Sequence, residues 1–308
     1  MLIRTMRDSV IGFGYAAAWR LVRAMPESVA GALFRAAADR ATRRNGASVR
    51  QLRRNLRRVV GPEVSNSEMD ALVRDAMRSY ARYWCESFRL PSYGRQDILD
   101  RFMLDGYEVF DKHRAEGTGV IMAIPHSGNW DLAGAWVTTK GYPLTTVVER
   151  LRPDSVFESF VEFRRGLGME IVPHTGGERP ARTVLAERLA QGHVVPIVAD
   201  RDLSSNGVEV DFFGEKTRMP VGPALLAIRT KAPLYTVVVR NDGPHRGYGK
   251  VEGPIPIPTD GRLADRVAAV TQAMADAFAA GIAVAPADWH MLQRLWLSDL
   301  PVSPSTTE

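Results

Sequence analysis

Two residues five positions apart, His126 and Asp131, hold the clearest chemical potential in this sequence. A neutral imidazole can take a proton from a hydroxyl. A carboxylate that reaches its other ring nitrogen fixes the tautomer and steadies the positive charge that follows. The spacing alone says little, since a histidine can decorate a loop and an acid can favour the positive end of a helix. The context says more: Gly119-Val-Ile-Met-Ala-Ile-Pro-His-Ser-Gly-Asn-Trp-Asp131. The small and β-branched run predicts a buried strand stopped by Pro125, and Ser-Gly-Asn predicts a turn into a helix that begins near Trp130. His126 then stands at a strand end. Asp131 lies in the first turn of the helix, from which its carboxylate can reach back to the ring.

Three further strand ends bear charged or titratable groups: Glu149-Arg150, His174 and Asp200-Arg201-Asp202. In open α/β sheets, ligands bind beyond the carboxyl ends of the strands, so this recurrence favours a site there. Gly176-Gly-Glu-Arg-Pro180 precedes a helix and reads either as a phosphate-holding turn or as an ordinary glycine loop. Val210 to Pro223 reads as an aromatic, glycine-punctuated loop feeding a helix. Its Lys216 and Arg218 could meet an anion, and Phe212 and Phe213 could line an apolar channel or pack in the core. The sequence has no Gly-x-Ser-x-Gly elbow, no Gly-x-x-x-x-Gly-Lys-Ser/Thr loop and no Gly-x-Gly-x-x-Gly after a strand. Its histidines and single cysteine are not spaced as zinc ligands, and no metal is expected. What remains is a histidine base without a protein nucleophile, which suits direct transfer of an activated acyl group to an alcohol.

The elements that must position these residues fall into two regions. Residues 5–90 read as helical, broken at Pro26, Asn45-Gly46 and Gly61-Pro62, with Ser65-Asn-Ser-Glu68 as a capping-box start for a helix to about Phe88. From 105 onward, strands at 119–125, 144–148, 169–172, 194–199 and 234–240 alternate with helices near 107–116, 129–140, 154–166, 180–191, 220–231 and 261–283. Val251 to Ile257 reads as an edge strand. The alternation predicts an α/β fold, a mostly parallel central sheet covered on both faces with an added N-terminal helical region. One domain over 1–302 is expected (1–90 helical and basic, 105–302 the α/β core), with a disordered tail at 303–308.

Composition is that of a globular protein, 45% hydrophobic and 24% charged over 308 residues. One cysteine, Cys85, rules out an internal disulfide framework, suggests a reducing compartment, and lies in an aromatic helical stretch suited to packing. No run of about eighteen apolar residues is present, so no segment is expected to span a bilayer. The short apolar run from Val10 to Ala18 behind Arg4 and Arg7 lacks a convincing signal-peptide cleavage site and reads as part of the mature chain. Residues 1–58 hold thirteen arginines, no lysine and three acids, an excess of +10 against +5 for the whole chain. Interleaved with apolar and aromatic residues such as Phe13, Tyr15, Trp19, Leu21 and Leu33, they suggest helices lying on an anionic membrane surface, or packed helices with a basic outer face. Nucleic-acid binding is not expected, because none of its sequence signatures occurs.

The strand followed by His-x-x-x-x-Asp resembles the lysophospholipid-acyltransferase-like superfamily. Phe212-Phe-Gly and Pro220-Val-Gly-Pro-Ala-Leu-Leu-Ala are similar to the branch that includes the lipid A late acyltransferases. Ile124 to Asp131, Gly176 to Pro180, Gly207 to Gly214, Thr217 to Pro223 and Pro286 to Gln293 carry the likeness through most of the chain. The resemblance implies an αβα sandwich with a deep acyl channel, and acyl-CoA as co-substrate with no bound cofactor. It implies transfer of a fatty acyl chain, palmitoyl, to a mannose hydroxyl of a phosphatidylinositol mannoside. It further implies a monomer held peripherally on the cytoplasmic face of the plasma membrane. In that family a glutamate after the fourth strand completes the catalytic group; here Asp200 stands in its place, one methylene shorter. The catalytic set is then His126, Asp131 and Asp200, and the substrate-binding set Glu149, Arg164, Asn206, Arg229 and His290, with Arg229 facing the coenzyme's phosphates. The rival readings are an acyltransferase for another glycolipid or a lysophospholipid, and a non-enzymatic protein of membrane surfaces or nucleic acid driven by the arginine-rich region.

Overall fold

The structure is a computed structural model that describes residues 19–149, 154–202 and 206–300, with the side chains of 154–156 excepted. The run from Val10 to Ala18, Arg4 and Arg7, Arg150 and the 303–308 tail lie outside these residues.

After a helical stretch at 19–24, three helices follow, α1 (Glu27–Arg44), α2 (Ala47–Val60) and α3 (Asn66–Arg89), broken where the glycines and prolines require. Asn45 ends α1 in the left-handed conformation at φ 46°, a state that asparagine tolerates better than most residues. Ser65 and Glu68 form the expected reciprocal cap of α3. The apolar faces of these helices enclose their own cluster around Leu52, Leu56, Met69 and Val73.

A seven-stranded sheet follows. Its strands are β1 (Phe102–Asp105), β2 (Val120–Ile124), β3 (Leu144–Val148), β4 (Met169–Pro173), β5 (Val194–Val198), β8 (Leu234–Asp242) and β9 (Arg246–Glu252). They lie in the order β1-β9-β8-β2-β5-β3-β4, with every neighbouring pair parallel except the antiparallel β8–β9 pair. The central strands β2 (VIMAI) and β5 (VVPIV) are apolar throughout because both faces of the sheet are covered. On one face lie α8 (Ala181–Ala190), α9 (Gly222–Thr230) and α10 (Leu263–Val284); on the other lie α4 (Arg95–Arg101), α5 (Val109–Ala115), α6 (Trp130–Thr139) and α7 (Asp154–Gly166).

Four expectations change. The strand expected at Val251 to Ile257 begins earlier, at Arg246, and lies inside the sheet between β8 and β1. The short edge strand β1 was not expected at all. Most of the aromatic loop expected at Val210 to Pro223 belongs to a hairpin, β6 (Val208–Phe212) and β7 (Glu215–Met219), turned by Phe213-Gly214. Finally, α10 is long and apolar enough to cross a bilayer by length and composition. Its Val270, Met274, Ala275 and Phe278 are instead wholly buried in the core against the sheet, which accounts for its apolar character.

Candidate active site

The pairing of β2 with β5 decides the centre of the site. These strands are parallel neighbours with Ile124 opposite Val198. The residues two places beyond each strand, His126 and Asp200, therefore meet at the carboxyl edge of the sheet. The Nδ1–H of His126 donates to Asp200 Oδ1 at 2.6 Å, and the His126 main-chain N–H donates to Oδ2 at 3.0 Å. A third donor, Trp289 Nε1, reaches the same Oδ2 at 2.9 Å. Asp200 has no exposed surface. Burial by itself would raise its pKa, but the His126 imidazole and these hydrogen bonds outweigh it and hold the carboxyl below the usual range. An ionised Asp200 is an acceptor only, so Nδ1 bears the proton and Nε2 presents its lone pair. The His126 side chain is 34% exposed, and a substrate can therefore approach it.

Asp131 does not take the expected role. It occupies the first turn of α6, but its carboxylate is claimed by Arg164 of α7, with Nε at 2.7 Å and Nη2 at 3.3 Å, and by the Tyr83 hydroxyl of α3 at 3.0 Å. The group that orients His126 is Asp200. Burial opposes charge on Arg164, but Asp131 more than compensates and raises the guanidinium's pKa. Burial first, and the Asp131 charge second, push the Tyr83 phenol well above its ordinary value. Asp131 thus ties three helices together beside the histidine. Trp130 lies edge-on to His126 at 5.6 Å and stacks on Tyr83 at 4.2 Å.

The turn from His126 to Asp131 depends on Gly128 at φ +55°. A Cβ there would come within 2.7 Å of Val239 Cγ1 and of its carbonyl oxygen. Over this turn runs a segment from far along the chain, the short 3₁₀ turn Pro286–Asp288 and the residues after it. Gly128 N–H donates to Asp288 O at 2.8 Å, and His290 N–H donates to His126 O at 2.7 Å. Trp289 is completely buried, and its indole completes the shell of Asp200. Sequence reasoning marked this segment but not the tasks of Trp289 or Tyr83. The tryptophan beside His290 was the one available signal.

The other candidates are spread around this centre. Glu149 is exposed just past β3, and His174 is exposed past β4, so both lie along the same carboxyl edge. Asp202 accepts the Gly207 N–H at 2.7 Å, and exposed Asn206 precedes that glycine. His290 is buried against Tyr80 and Tyr83. Arg229 is not brought to His126. It lies in the last turn of α9, shortly before β8 begins, and β8 runs parallel to β2 from its amino end. That places it at the opposite edge of the sheet. Gly176 and Gly177 are exposed, Pro180 caps α8, and Arg179 of that loop is paired with Glu187. Lys216 and Arg218 pair across the hairpin with Asp211 and Glu209. Phe212 packs with Trp289 and Trp296, and Phe213 meets Phe212 edge-on, so the hairpin phenylalanines serve the core. Two surface cavities, around Trp136 and Lys140 and around Arg40 and Arg44, have no His126 in their lining. Cys85 is buried, and desolvation pushes its thiol up to about 11, which makes it a poor nucleophile. Among the described residues, no three His, Cys, Asp or Glu side chains gather as a metal site.

The sequence matches the family described as bacterial lipid A biosynthesis acyltransferase over residues 3–298. A phosphatidylinositol mannoside acyltransferase of Mycolicibacterium smegmatis is 49% identical to it over 291 residues, which cover 94% of this chain and 93% of that protein. One of the same name from Mycobacterium tuberculosis is 46% identical over 294 residues, 94% of this chain and 90% of the relative.

Proposed function

This chain belongs to the bacterial lipid A biosynthesis acyltransferase family, and from that premise we propose that it moves a fatty acyl group, palmitoyl, from acyl-CoA to a mannose hydroxyl of a phosphatidylinositol mannoside. The acceptor in this reading is supported by the names of the two relatives described above. The chemistry rests on one observation: a buried, ionised Asp200 takes the Nδ1–H of His126 at 2.6 Å. Nε2 then accepts the hydroxyl proton as the sugar oxygen forms its bond to the thioester carbonyl carbon. The carbon–sulfur bond breaks and coenzyme A leaves as a thiolate. A reference thiol has a pKa of about 8.5, so the leaving group makes little demand for a strong acid. The imidazolium formed on the way is stabilised by Asp200.

In this reading Asp131 is a positioning residue, which acts by holding Arg164 and the start of α6 beside the histidine. Glu149, Asn206 and His290 contribute to the acceptor's surroundings. Arg229 is left out, since it faces the other edge of the sheet. No acyl-enzyme is expected, and intact-mass measurement after acyl-CoA alone should show an unmodified chain; an acyl adduct that vanishes on adding acceptor would indicate a ping-pong route instead.

The enzyme works at an anionic membrane surface, peripherally and on the cytoplasmic side, where both lipid substrates can reach it. Exposed Leu21, Val29 and Leu33 beside Arg20, Arg23 and Arg40 support that placement. The deciding assay is transfer from palmitoyl-CoA to purified phosphatidylinositol mannosides, run beside other glycolipids and lysophospholipids. The wild type should acylate the mannosides, and His126→Ala should lose roughly 10²–10⁴-fold of that rate. Exclusive use of another lipid would overturn the acceptor, and a folded His126→Ala enzyme with near-normal turnover would overturn the mechanism.

A further inference from the structure

His290 lies beside His126 in a shell of rings, with Tyr80 at 5.4 Å, Tyr83 at 5.8 Å and Trp130 at 6.2 Å. Its Nε2 is 3.0 Å from Ser79 Oγ. Its Nδ1 is buried and has no hydrogen-bond partner among the described residues. Burial first, and the neighbouring His126 second, push its pKa down to about 3, so the ring is neutral.

Which nitrogen bears the proton follows from what surrounds Ser79. Asp288 Oδ1 lies 2.6 Å from Ser79 Oγ. The same carboxylate also receives the main-chain N–H of Asn241 on Oδ2 at 2.7 Å and the Asn241 side-chain amide on Oδ1. With acceptor oxygens facing it, Ser79 must spend its single hydroxyl proton on Asp288. The Asn241 amide donates to Ser79 Oγ at 3.0 Å. Toward His290 the serine can then only accept, so Nε2 bears the hydrogen and Nδ1 is left with a lone pair. A buried acceptor without a donor costs free energy, and such groups gather at functional sites.

We propose that Ser79 and Asp288 are positioning residues for acyl transfer: they fix His290 as the Nε2–H tautomer and hold its ring in place behind His126, whose carbonyl the His290 main-chain N–H braces at 2.7 Å. The role in acyl transfer rests on the function proposed above; the tautomer does not.

Two experiments test this on the full-length protein. Long-range ¹H–¹⁵N correlation spectra of protein labelled at histidine, with the His290 signals identified by their loss in His290→Ala, read the tautomer directly. A neutral ring protonated at Nε2 is expected in the wild type. In Asp288→Asn the new amide can donate to Ser79 and free the hydroxyl proton for Nε2, so Nδ1–H signal should grow. Kinetics give the second readout. Ser79→Ala and His290→Ala should each lower kcat/KM about tenfold, and the double variant should be no worse than His290→Ala alone. Ser79→Thr, which keeps the hydroxyl, should recover part of the loss. A wild-type ring protonated at Nδ1 overturns the proposal whichever lipid the enzyme accepts, and so do fully additive losses. Failure to acylate phosphatidylinositol mannosides with the expected spectra intact would count against the acceptor and leave the tautomer lock standing.

Discussion

At the scale of single residues, the site turns on Asp200, which among the described residues pairs with no arginine or lysine and accepts from His126 and Trp289. Asp200→Asn replaces an acceptor by an amide that can donate to Nδ1 and so present a protonated Nε2 to the substrate. Its kcat should fall roughly 10³–10⁴-fold. Asp200→Glu keeps the charge but inserts a methylene into a fully buried shell, and a displacement of about 1 Å can cost on the order of 10²-fold. Steady-state rates in which the amide matches the wild type would remove Asp200 from the reaction. His290 carries a prediction about stability. Its folded pKa of about 3 lies below the ordinary value of 6.5, so between these two pH values the unfolded chain binds a proton that the folded one does not. Its contribution is therefore complete above pH 6.5 and is lost progressively as the pH falls toward 3. The melting temperature of the wild type should drop over that window more steeply than that of His290→Gln; parallel curves would contradict it. His126 and Asp200 were legible in the sequence because both stand at strand ends, where parallel pairing gathers side chains. The partner of Asp131 was not. A carboxylate in a first helical turn can face several ways, and Arg164 and Tyr83, 33 and 48 residues away in sequence, decide which.

At the scale of elements, the turn between β2 and α6 is the tightest constraint. Gly128 combines a left-handed backbone with main-chain and side-chain atoms of Val239 too close for any Cβ. Gly128→Ala should therefore lower stability by several kcal/mol, by the sum of backbone strain of about 1–3 kcal/mol and displacement of β8. It should also reduce kcat, since the same turn carries His126. Denaturant unfolding and activity on one preparation would check both, and an unchanged midpoint would refute the account. Long strands and helices were legible from periodicity and lay within a few residues of their expected places. The hairpin was harder to read. Val208-Glu-Val-Asp-Phe212 does alternate, and its burial alternates with it toward the end. The Phe-Phe-Gly that follows reads as a loop until Phe213 and Gly214 are seen to form the turn itself. Strand β1 gave still less signal, with four residues pressed between a helix and Gly106.

At the scale of the whole molecule, the helical region is built into the catalytic core. Arg58 of α2 pairs with Glu215 of the hairpin and Asp299 near the C-terminal end, and its guanidinium lies over Trp296 at 4.5 Å. Asn55 donates to the carbonyls of Met291 and Gln293 at 2.7 and 2.8 Å. The helices that present arginines and Val29 and Leu33 outward therefore also hold the segment that covers His126. Binding to anionic vesicles should weaken with salt, at about 1 kcal/mol for each basic residue near the surface. Leu33→Asp should reduce binding without unfolding the protein, because that side chain is 53% exposed. Sedimentation with vesicles would test this; equal binding to neutral and anionic lipid at low salt would contradict the electrostatic part. The basic excess was plain in the sequence. Its attachment to the C-terminal segment was not, because contacts between residues some 240 apart leave no local pattern.

The covering segment also sets when an enzyme can first exist during synthesis. His126 and Asp200 leave the ribosome long before Trp289, the donor that completes the shell of Asp200, and His290, which braces the His126 carbonyl. At about 5–20 residues per second, translation from His126 to Trp289 takes on the order of ten seconds or more. Throughout that interval the nascent chain carries its histidine without the finished surroundings. Stalled chains ending at residue 285 should be inactive toward acyl-CoA even where the sheet has formed. On the proposed function, a growing polypeptide should therefore consume no acyl donor before it is whole.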